Sequence, residues 1–592
     1  MKSLSYLNKY FYIYKWRFLL GVIFIVISNY FGVQMPLYVK STIDELMSGA
    51  HFNGLEDVLI LSLKIGGIYM LLSALSGFFL FLTRQTIIVM SRLIEYDLKN
   101  EIYQHYQKLD FSFYKKNATG DLMNRISEDV SQVRMYLGPG VMYTINLCAL
   151  FAMVIYQMIQ INGWLTLFVL IPLPVMSFLI YFVSSKMNLL SKEVQKEQSL
   201  MSTIVQETFA GIRVIKSYNR EKEVHEKFTT SANNYKLKSM ALVLVNSLFM
   251  PTIVFLIGLS TILSIYIGGL MSYDGTISLG GILAFIFFVN KLTWPFASIG
   301  WVTSINQRAA ASQSRINEFL QTEPTIKNPS NESFEFEGEI SFEHVSYTYP
   351  NSGIQALKNL TFKIHPGQTF AVIGKTGSGK TTLLNLLMRQ MDPDAGSIRI
   401  DGKDLTTINL IQYRDQAGVV PQEVFLFSES IENNLLFGCT HEVTSSEIEE
   451  SAKKAHVHHN IIEFPNGYQT LLGERGVNLS GGQKQRLSIA RALLRKPKLL
   501  VLDDCLSAVD TETEERILSH LKTESNNLTT VIVSHRISSI RNADRILVID
   551  NGESIEEGTH EELMERNGHY ALLYKQQLAE DQAKDSNYKL EE

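Results

Sequence analysis

Six stretches of this 592-residue chain each reach the roughly 20 apolar residues needed to cross the hydrocarbon core of a bilayer. They lie near residues 17–39, 59–83, 136–160, 164–185, 241–268 and 277–300. Lipid offers no hydrogen-bond partners, so runs of this kind are viable only as helices that satisfy their own backbone groups. All six fall in the first 300 residues, and the overall hydrophobic content of 46% therefore averages an apolar first half with a charged second half. Lys2, Lys9, Lys15 and Arg17 precede a first run that lasts past Phe31. That is longer than the about 7–15 apolar residues of a cleavable signal, so the run is read as a membrane helix.

The connections between the runs are of two kinds. Short polar links join runs one and two, three and four (at Asn162-Gly163), and five and six (around Tyr273-Asp274-Gly275). The other two, 84–135 and 186–240, are long and hold 8 and 10 Lys or Arg, whereas the short links hold almost none apart from Lys40. The positive-inside bias then places the long connections and both termini in the cytoplasm. Apolar residues at three and four spacing from Leu93 to Leu109 and from Leu190 to Phe209 predict that helices two to five continue out of the membrane as stalks. The net charge of −5 argues against a nucleic-acid partner. Cys148, Cys439 and Cys505 lie in no metal-ligand or disulfide spacing, as expected of a chain whose soluble part is in a reducing compartment.

After Phe319 the texture changes. The transmembrane domain is expected over 1–320, a polar, turn-rich linker over 321–336, and alternating strands and helices over 337–575, which predict an α/β domain with a parallel sheet. The polar tail, 576–592, is expected to fray.

The chemistry is concentrated in that second domain. The apolar strand Thr369–Ile373 runs into Gly374-Lys375-Thr376-Gly377-Ser378-Gly379-Lys380-Thr381-Thr382 and then a helix. This is a phosphate-binding loop in its strand-to-helix context: glycines let backbone N–H groups close on the β- and γ-phosphates, Lys380 adds a charge, and the Thr381 hydroxyl can ligate Mg²⁺. A second apolar strand, Leu499 to Leu502, ends in Asp503, where a carboxylate holds the same ion directly or through water. Between them Leu479-Ser480-Gly481-Gly482-Gln483 opens another helix and forms a second anion-binding nest in a chain that already has one. A spare nest points to a site completed by another subunit.

These motifs, in this order, resemble the ATP-binding cassette (ABC) family, whose signature is Leu479 to Gln483. The resemblance implies roles for further residues. Tyr349 stacks on adenine, Gln422 beside Pro421 touches magnesium, and His535 reaches the γ-phosphate. Gly473-Glu474-Arg475-Gly476 is similar to the loop that meets the coupling helices, and Ser507-Ala508-Val509-Asp510 to the loop joining the two nucleotide domains. Phe113-Tyr114, Thr119-Gly120-Asp121, Gln206-Glu207 and Gly211 to Ser217 are similar to the cytoplasmic loops of exporter half-transporters. The family binds ATP with Mg²⁺, pairs two halves so that each signature completes the other's ATP site, and exports amphipathic, drug-like or lipid-like cargo, here across a bacterial cell membrane.

One position departs from the pattern. The family has a glutamate after the magnesium-binding aspartate to polarise the attacking water, and here it is Asp504. A shortened carboxylate still accepts a proton, but slow hydrolysis is expected, and the resemblance is then to the weak-site member of a heterodimeric exporter. A homodimer with two slow sites is the alternative. In the membrane runs Lys64, Gln157, Asn246, Asn290 and Lys291 are costly enough to be cavity candidates, although lysines snorkel and amides bridge helices. The aromatics Tyr30, Phe31, Phe285, Phe287, Phe288, Trp294 and Phe296 suit either amphipathic cargo or helix packing. Against export stand an ATP-gated channel or a regulatory membrane ATPase without vectorial transport, and, opposed by the six spans, a soluble ATPase.

Overall fold

The computed structural model describes residues 2–48, 55–350, 352–473, 476, 478–523 and 528–588. The described chain divides into two compact units, residues 1–108 with 117–323, and residues 109–116 with 324–592.

The first unit is helical. Six helices are long and apolar enough to cross a membrane: Lys15–Ser48, Leu55–Thr83, Val141–Ile161, Gly163–Leu170 with Pro172–Ala210, Glu221–Tyr273, and Leu279–Leu320. Helices two to six overrun the apolar segments that seeded them, the second and third continuing over Leu59–Lys108 and Thr119–Ile161, and this extra length is the continuation expected of helices two to five. The helix Glu221–Tyr273 has 53 residues, about 80 Å at 1.5 Å per residue, against a hydrocarbon core of about 30 Å. The turn at Asn162-Gly163 works as a cap, the Asn162 side chain accepting from the Leu165 N–H at 2.9 Å. Ser278 does the same for the sixth helix through the Gly281 N–H.

Polar ties hold the extensions in register. Asp129 is buried and receives both arms of the Arg315 guanidinium, Nε at 2.9 Å from Oδ2 and the second arm on Oδ1. Near the chain start, Tyr6, Tyr10 and Lys9 converge on the Glu101 carboxylate at 2.5, 2.5 and 2.7 Å. Burial and this carboxylate push the Tyr6 and Tyr10 hydroxyls well above the ordinary phenol range. At the other end Asp44 accepts from the Gly280 N–H at 3.1 Å and the Ser278 hydroxyl at 2.9 Å, fixing the first helix against the sixth.

The second unit holds two sheets. Strands β1 (Ile340–Thr348), β2 (Gln355–Ile364), β4 (Ala395–Ile400) and β5 (Lys403–Asp404) form an antiparallel sheet in the order β2-β1-β4-β5. Strands β3 (Thr369–Ile373), β6 (Ala417–Val420), β7 (Leu499–Asp503), β8 (Thr529–Ser534), β9 (Arg545–Asp550) and β10 (Glu553–Gly558) form the other, ordered β10-β9-β3-β8-β7-β6. All its pairings are parallel except β9 with the edge strand β10. In β3, Phe370 and Val372 point into one hydrophobic layer, Ala371 and Ile373 into the other. A sheet covered on both faces needs continuous apolar strands, which is why this motif reads as an uninterrupted run.

The structure differs from the sequence-based boundaries in three places. Residues 109–116 fall in the second unit, because Asp110 accepts from both the N–H and the hydroxyl of Thr325, at 2.7 and 2.5 Å. Burial works to raise the Asp110 carboxyl, but bonds from the Ser112 hydroxyl and from Thr325 outweigh it and hold it down to about 2. The second half of the expected linker is packed: Phe334 and Phe336 are buried in the core, and their N–H groups are taken by Gln412 and Gln416. The helix His569–Tyr588 runs through the start of the tail expected to fray. Its first turn buries Tyr570 and Ala571, an anchor from which the polar continuation propagates.

Candidate functional site: a phosphate loop, two carboxylates and a capped signature helix

Strand β3 delivers the chain into the loop at Gly374, and the loop turns into the helix Lys380–Leu387. Two glycines are required there by conformation: Gly377 and Gly379 lie at φ 82° and 104°. Gly374 is required by space, since a Cβ would fall 2.1 Å from the Ile549 carbonyl oxygen. Lys375, Thr376, Gly377 and Thr381 are exposed, whereas Ser378, Lys380 and Thr382 are buried.

The Lys380 ammonium curls back into its own loop, donating to the carbonyls of Gly374 and Lys375 at 2.7 and 2.8 Å. Burial pushes its pKa down to about 8, against the pull of Asp504 and Asp503. The Ser378 hydroxyl is buried with no partner among the described residues, a polar atom left over in the wall of an anion cradle.

Strand β7 brings Asp503 to the same place. The Thr381 hydroxyl donates to Asp503 Oδ1 at 3.4 Å, so the two oxygens expected to hold a divalent cation are neighbours. Burial raises the Asp503 carboxyl, and the Thr381 bond works against it. Hard oxygen donors beside an anion cradle fit magnesium chemistry.

The next residue takes the unusual conformation. Asp504 is at φ 46°, in the left-handed region that aspartate tolerates better than longer side chains. It is pinned by three bonds: its N–H donates to the Val533 carbonyl at 2.8 Å, its carbonyl accepts from the Ser507 hydroxyl at 2.9 Å, and Oδ1 receives the His535 N–H at 3.4 Å. The carboxylate thus sits beside the backbone of His535.

Gln577, which falls in the polar tail expected from the sequence, supports this pair from below. Its amide donates to the His535 carbonyl at 2.5 Å and accepts from the Ile537 N–H at 2.9 Å. Only its place on the anchored helix His569–Tyr588 brings it there, and no local pattern marks it.

Tyr349 also joins the loop, its hydroxyl 3.0 Å from Thr382 Oγ1. Lys115, from the helix Phe111–Lys116 of the same unit, holds its ammonium 4.8 Å from the centre of the Tyr349 ring. The neighbouring Phe113-Tyr114 pair stands out in the sequence, whereas nothing local marks this lysine.

The signature residues are built differently. Ser480 caps the helix Gly481–Leu494 in a reciprocal box, its hydroxyl accepting from the Gln483 backbone N–H while the Gln483 side-chain Oε1 accepts from the Ser480 backbone N–H. Leu479 is buried beneath, and Ser480 and Gly481 are exposed. Gly482 leaves room for the loop 507–510, for a Cβ there would meet the Ala508 carbonyl oxygen at 2.8 Å. Gln485 locks the two together through the Ser507 hydroxyl at 3.3 Å and the Ala508 N–H at 3.0 Å. Among the described residues, no hydrogen bond links Leu479–Gln483 to the phosphate loop. Gln422 is exposed and makes none to the loop either. Glu474 and Arg475 lie outside the described residues.

In the first unit the aromatic stripe divides. Phe285, Phe288 and Phe296 are buried in helix packing, whereas Tyr30, Phe287 and Trp294 are 53, 44 and 65% exposed. The cysteines Cys148, Cys439 and Cys505 form no disulfide among the described residues.

Comparison with known proteins matches both units to one family. Residues 18–296 match the ABC transporter transmembrane region and residues 357–507 the ABC transporter domain. The chain is 34% identical over 576 residues to the probable multidrug resistance ABC transporter ATP-binding/permease protein YheI of Bacillus subtilis, covering 97% of each. It is 36% identical to the multidrug resistance-like ATP-binding protein MdlA of Escherichia coli, covering 84% of each. To the ATP-dependent lipid A-core flippase of Syntrophus aciditrophicus it is 31% identical over 95% of this chain and 93% of that one. Its fold matches that of a bacterial Atm1-family ABC exporter solved with ATP bound, with a TM-score of 0.79 at 23% identity over 95% and 98% of the two chains. With six membrane helices and an ATP-binding domain on one polypeptide, the chain belongs to the ABC transporter family and is an ATPase coupled to transport.

Proposed function

We propose that the chain is one half of a dimeric exporter that uses ATP and Mg²⁺ to move an amphipathic, drug-like or lipid-like molecule out of a bacterial cell, its nucleotide domain and termini in the cytoplasm. The observation that carries the reading is the junction of Lys380, Thr381, Asp503, Asp504 and His535 on a chain that also supplies six membrane helices. The multidrug and flippase names of its relatives support that cargo class.

Each group in the junction then has a task. Gly374–Thr382 and Lys380 bind the phosphates, Tyr349 stacks on the base, and Thr381 and Asp503, with Gln422, would hold Mg²⁺, which would neutralise charge on the phosphates. Asp504 accepts the proton of the attacking water, and His535 orients the γ-phosphate. The exposed Ser480 to Gln483 edge completes the ATP site of a partner. Asp504 in place of glutamate favours a heterodimer in which the partner's site carries most turnover.

Steady-state ATPase of the chain purified alone in lipid nanodiscs, with its oligomeric mass measured on the same sample, tests this. A monomer or a nearly inactive dimer supports the heterodimer. A stable dimer with rapid Mg-dependent hydrolysis overturns it in favour of a homodimer.

A further inference from the structure

The six apolar runs contain no aspartate and no glutamate at all. Apart from Arg17 at the edge of the first, their charged residues are Lys64 and Lys291. Lys64 is exposed, but Lys291 is half-buried, and its ammonium rests against protein: a Cβ added to Gly32 would lie 3.4 Å from Lys291 Nζ and 3.7 Å from the Ser76 hydroxyl. Helices one, two and six meet at this point.

The surroundings are polar on the same side. Ser28 and Ser76 clasp helices one and two, each hydroxyl donating to the other's carbonyl, at 2.9 and 3.0 Å. Asn29, three residues before Gly32, donates to the Asn146 side-chain carbonyl of the third helix at 3.0 Å. These groups satisfy one another, while Lys291 makes no hydrogen bond or ion pair among the described residues. On its own helix it stands between Phe287 and Trp294, one turn to either side, both among the exposed aromatics.

Depth excludes snorkelling. Lys291 lies inside the apolar run 277–300, fourteen residues from its start and nine from its end, about 21 and 14 Å at 1.5 Å per residue. Half of a hydrocarbon core is about 15 Å, so Lys291 sits near the midplane, beyond the reach of a lysine stem to either interface. A cation there is costly unless an anion meets it, and the apolar runs of a second copy of this chain would bring no carboxylate.

We propose that Lys291 is the anion-recognising centre of the cargo site, and that the cargo is an amphipathic anion, its phosphate or carboxylate head on Lys291 and its apolar body along Phe287 and Trp294. This deepens the exporter reading and rests on it for the word cargo.

The test uses the full chain in phosphatidylcholine nanodiscs, as the dimer it forms alone or with its partner, and equilibrium binding of four probes corrected with empty discs: dodecyl phosphate, dodecanoate, dodecyltrimethylammonium and inorganic phosphate. The two anionic amphiphiles are expected to bind about tenfold or more tighter than the cation, with no retention of inorganic phosphate. Lys291→Met is expected to shrink that preference to about twofold or less, while Lys291→Arg keeps it, which separates loss of charge from loss of fold. An undiminished anion preference in Lys291→Met, no preference in the unsubstituted chain, or equal binding of inorganic phosphate overturns the assignment. ATP-dependent uptake of the same probes into proteoliposomes reads the exporter function separately: movement of amphiphiles without charge preference sinks only the Lys291 assignment. Anion preference without any movement sustains the site and sinks the export reading.

Discussion

The lysine of the phosphate loop shows how a single residue carries both the binding energy and a pH signature. Lys380 is buried against two carbonyls, and burial pushes its pKa down to about 8. Because this folded value is below that of an unfolded lysine, the folded chain holds fewer protons between about pH 8 and 10, and this group's contribution to stability rises with pH across that window. A triphosphate favours the charged form and reverses the shift. ATP binding at about pH 8.5 is therefore expected to take up protons, visible as a dependence of calorimetric binding enthalpy on buffer ionisation, and Lys380→Met is expected to remove that dependence together with most of the affinity.

Asp504 is the second residue-scale case. Its left-handed backbone suits aspartate, and its carboxylate already engages the His535 N–H, so the site is ordered although the side chain is one methylene short. Misplacement by about 1 Å can cost on the order of a hundredfold in rate. If the chain forms a homodimer, Asp504→Glu is expected to raise its Mg-dependent ATPase, by up to about a hundredfold; in a dimer whose partner carries turnover the change is expected to be smaller.

At the scale of elements, two ties invite measurement. The buried Asp129 carboxylate on the third-helix extension depends on Arg315 of the sixth. Removing the guanidinium leaves the buried Asp129 carboxylate without this partner, a loss of about 1–3 kcal/mol because the Arg315 side chain itself is half exposed. Arg315→Ala is expected to lower the melting temperature in nanodiscs, and Asp129→Asn in the same chain to recover most of the loss. The helix His569–Tyr588 offers the other, since Gln577 satisfies both the His535 carbonyl and the Ile537 N–H. Gln577→Leu leaves two backbone groups unpaired, at about 1–3 kcal/mol each when buried, and is expected to slow hydrolysis more than it weakens ATP binding. Equal effects on both would assign Gln577 to general stability. The motif strands were legible in the sequence because both faces of the sheet are covered and the strands read as solid apolar runs. Gln577 was not legible, because a lone glutamine in a polar stretch carries no period and no spacing.

For the whole molecule, the separation between the signature and the chain's own phosphate loop sets the expectation. If Ser480 acts on a partner's nucleotide, Ser480→Arg is expected to reduce ATPase of the assembled dimer at least about tenfold while ATP still binds this chain's own loop, as photo-crosslinking of a labelled nucleotide would report. Loss of labelling at Lys380's loop would place the signature in the same chain's site instead.

Sequence alone determined the six membrane helices, the stalks, the phosphate loop and the second carboxylate, because each is specified by physics that acts along the chain. A bilayer demands some twenty apolar residues in a row, a covered parallel sheet demands an apolar strand, and phosphate demands glycines at a strand-to-helix turn. Only the tertiary structure decided which distant groups meet. It put residues 109–116 with the nucleotide domain through Asp110 and Thr325, buried Phe334 and Phe336 of the expected linker, set Gln577 under His535, and brought Lys291 against Gly32 with no ion pair among the described residues. Those pairings join residues up to hundreds of positions apart, and their energies come from burial and charge at contacts that no local pattern encodes.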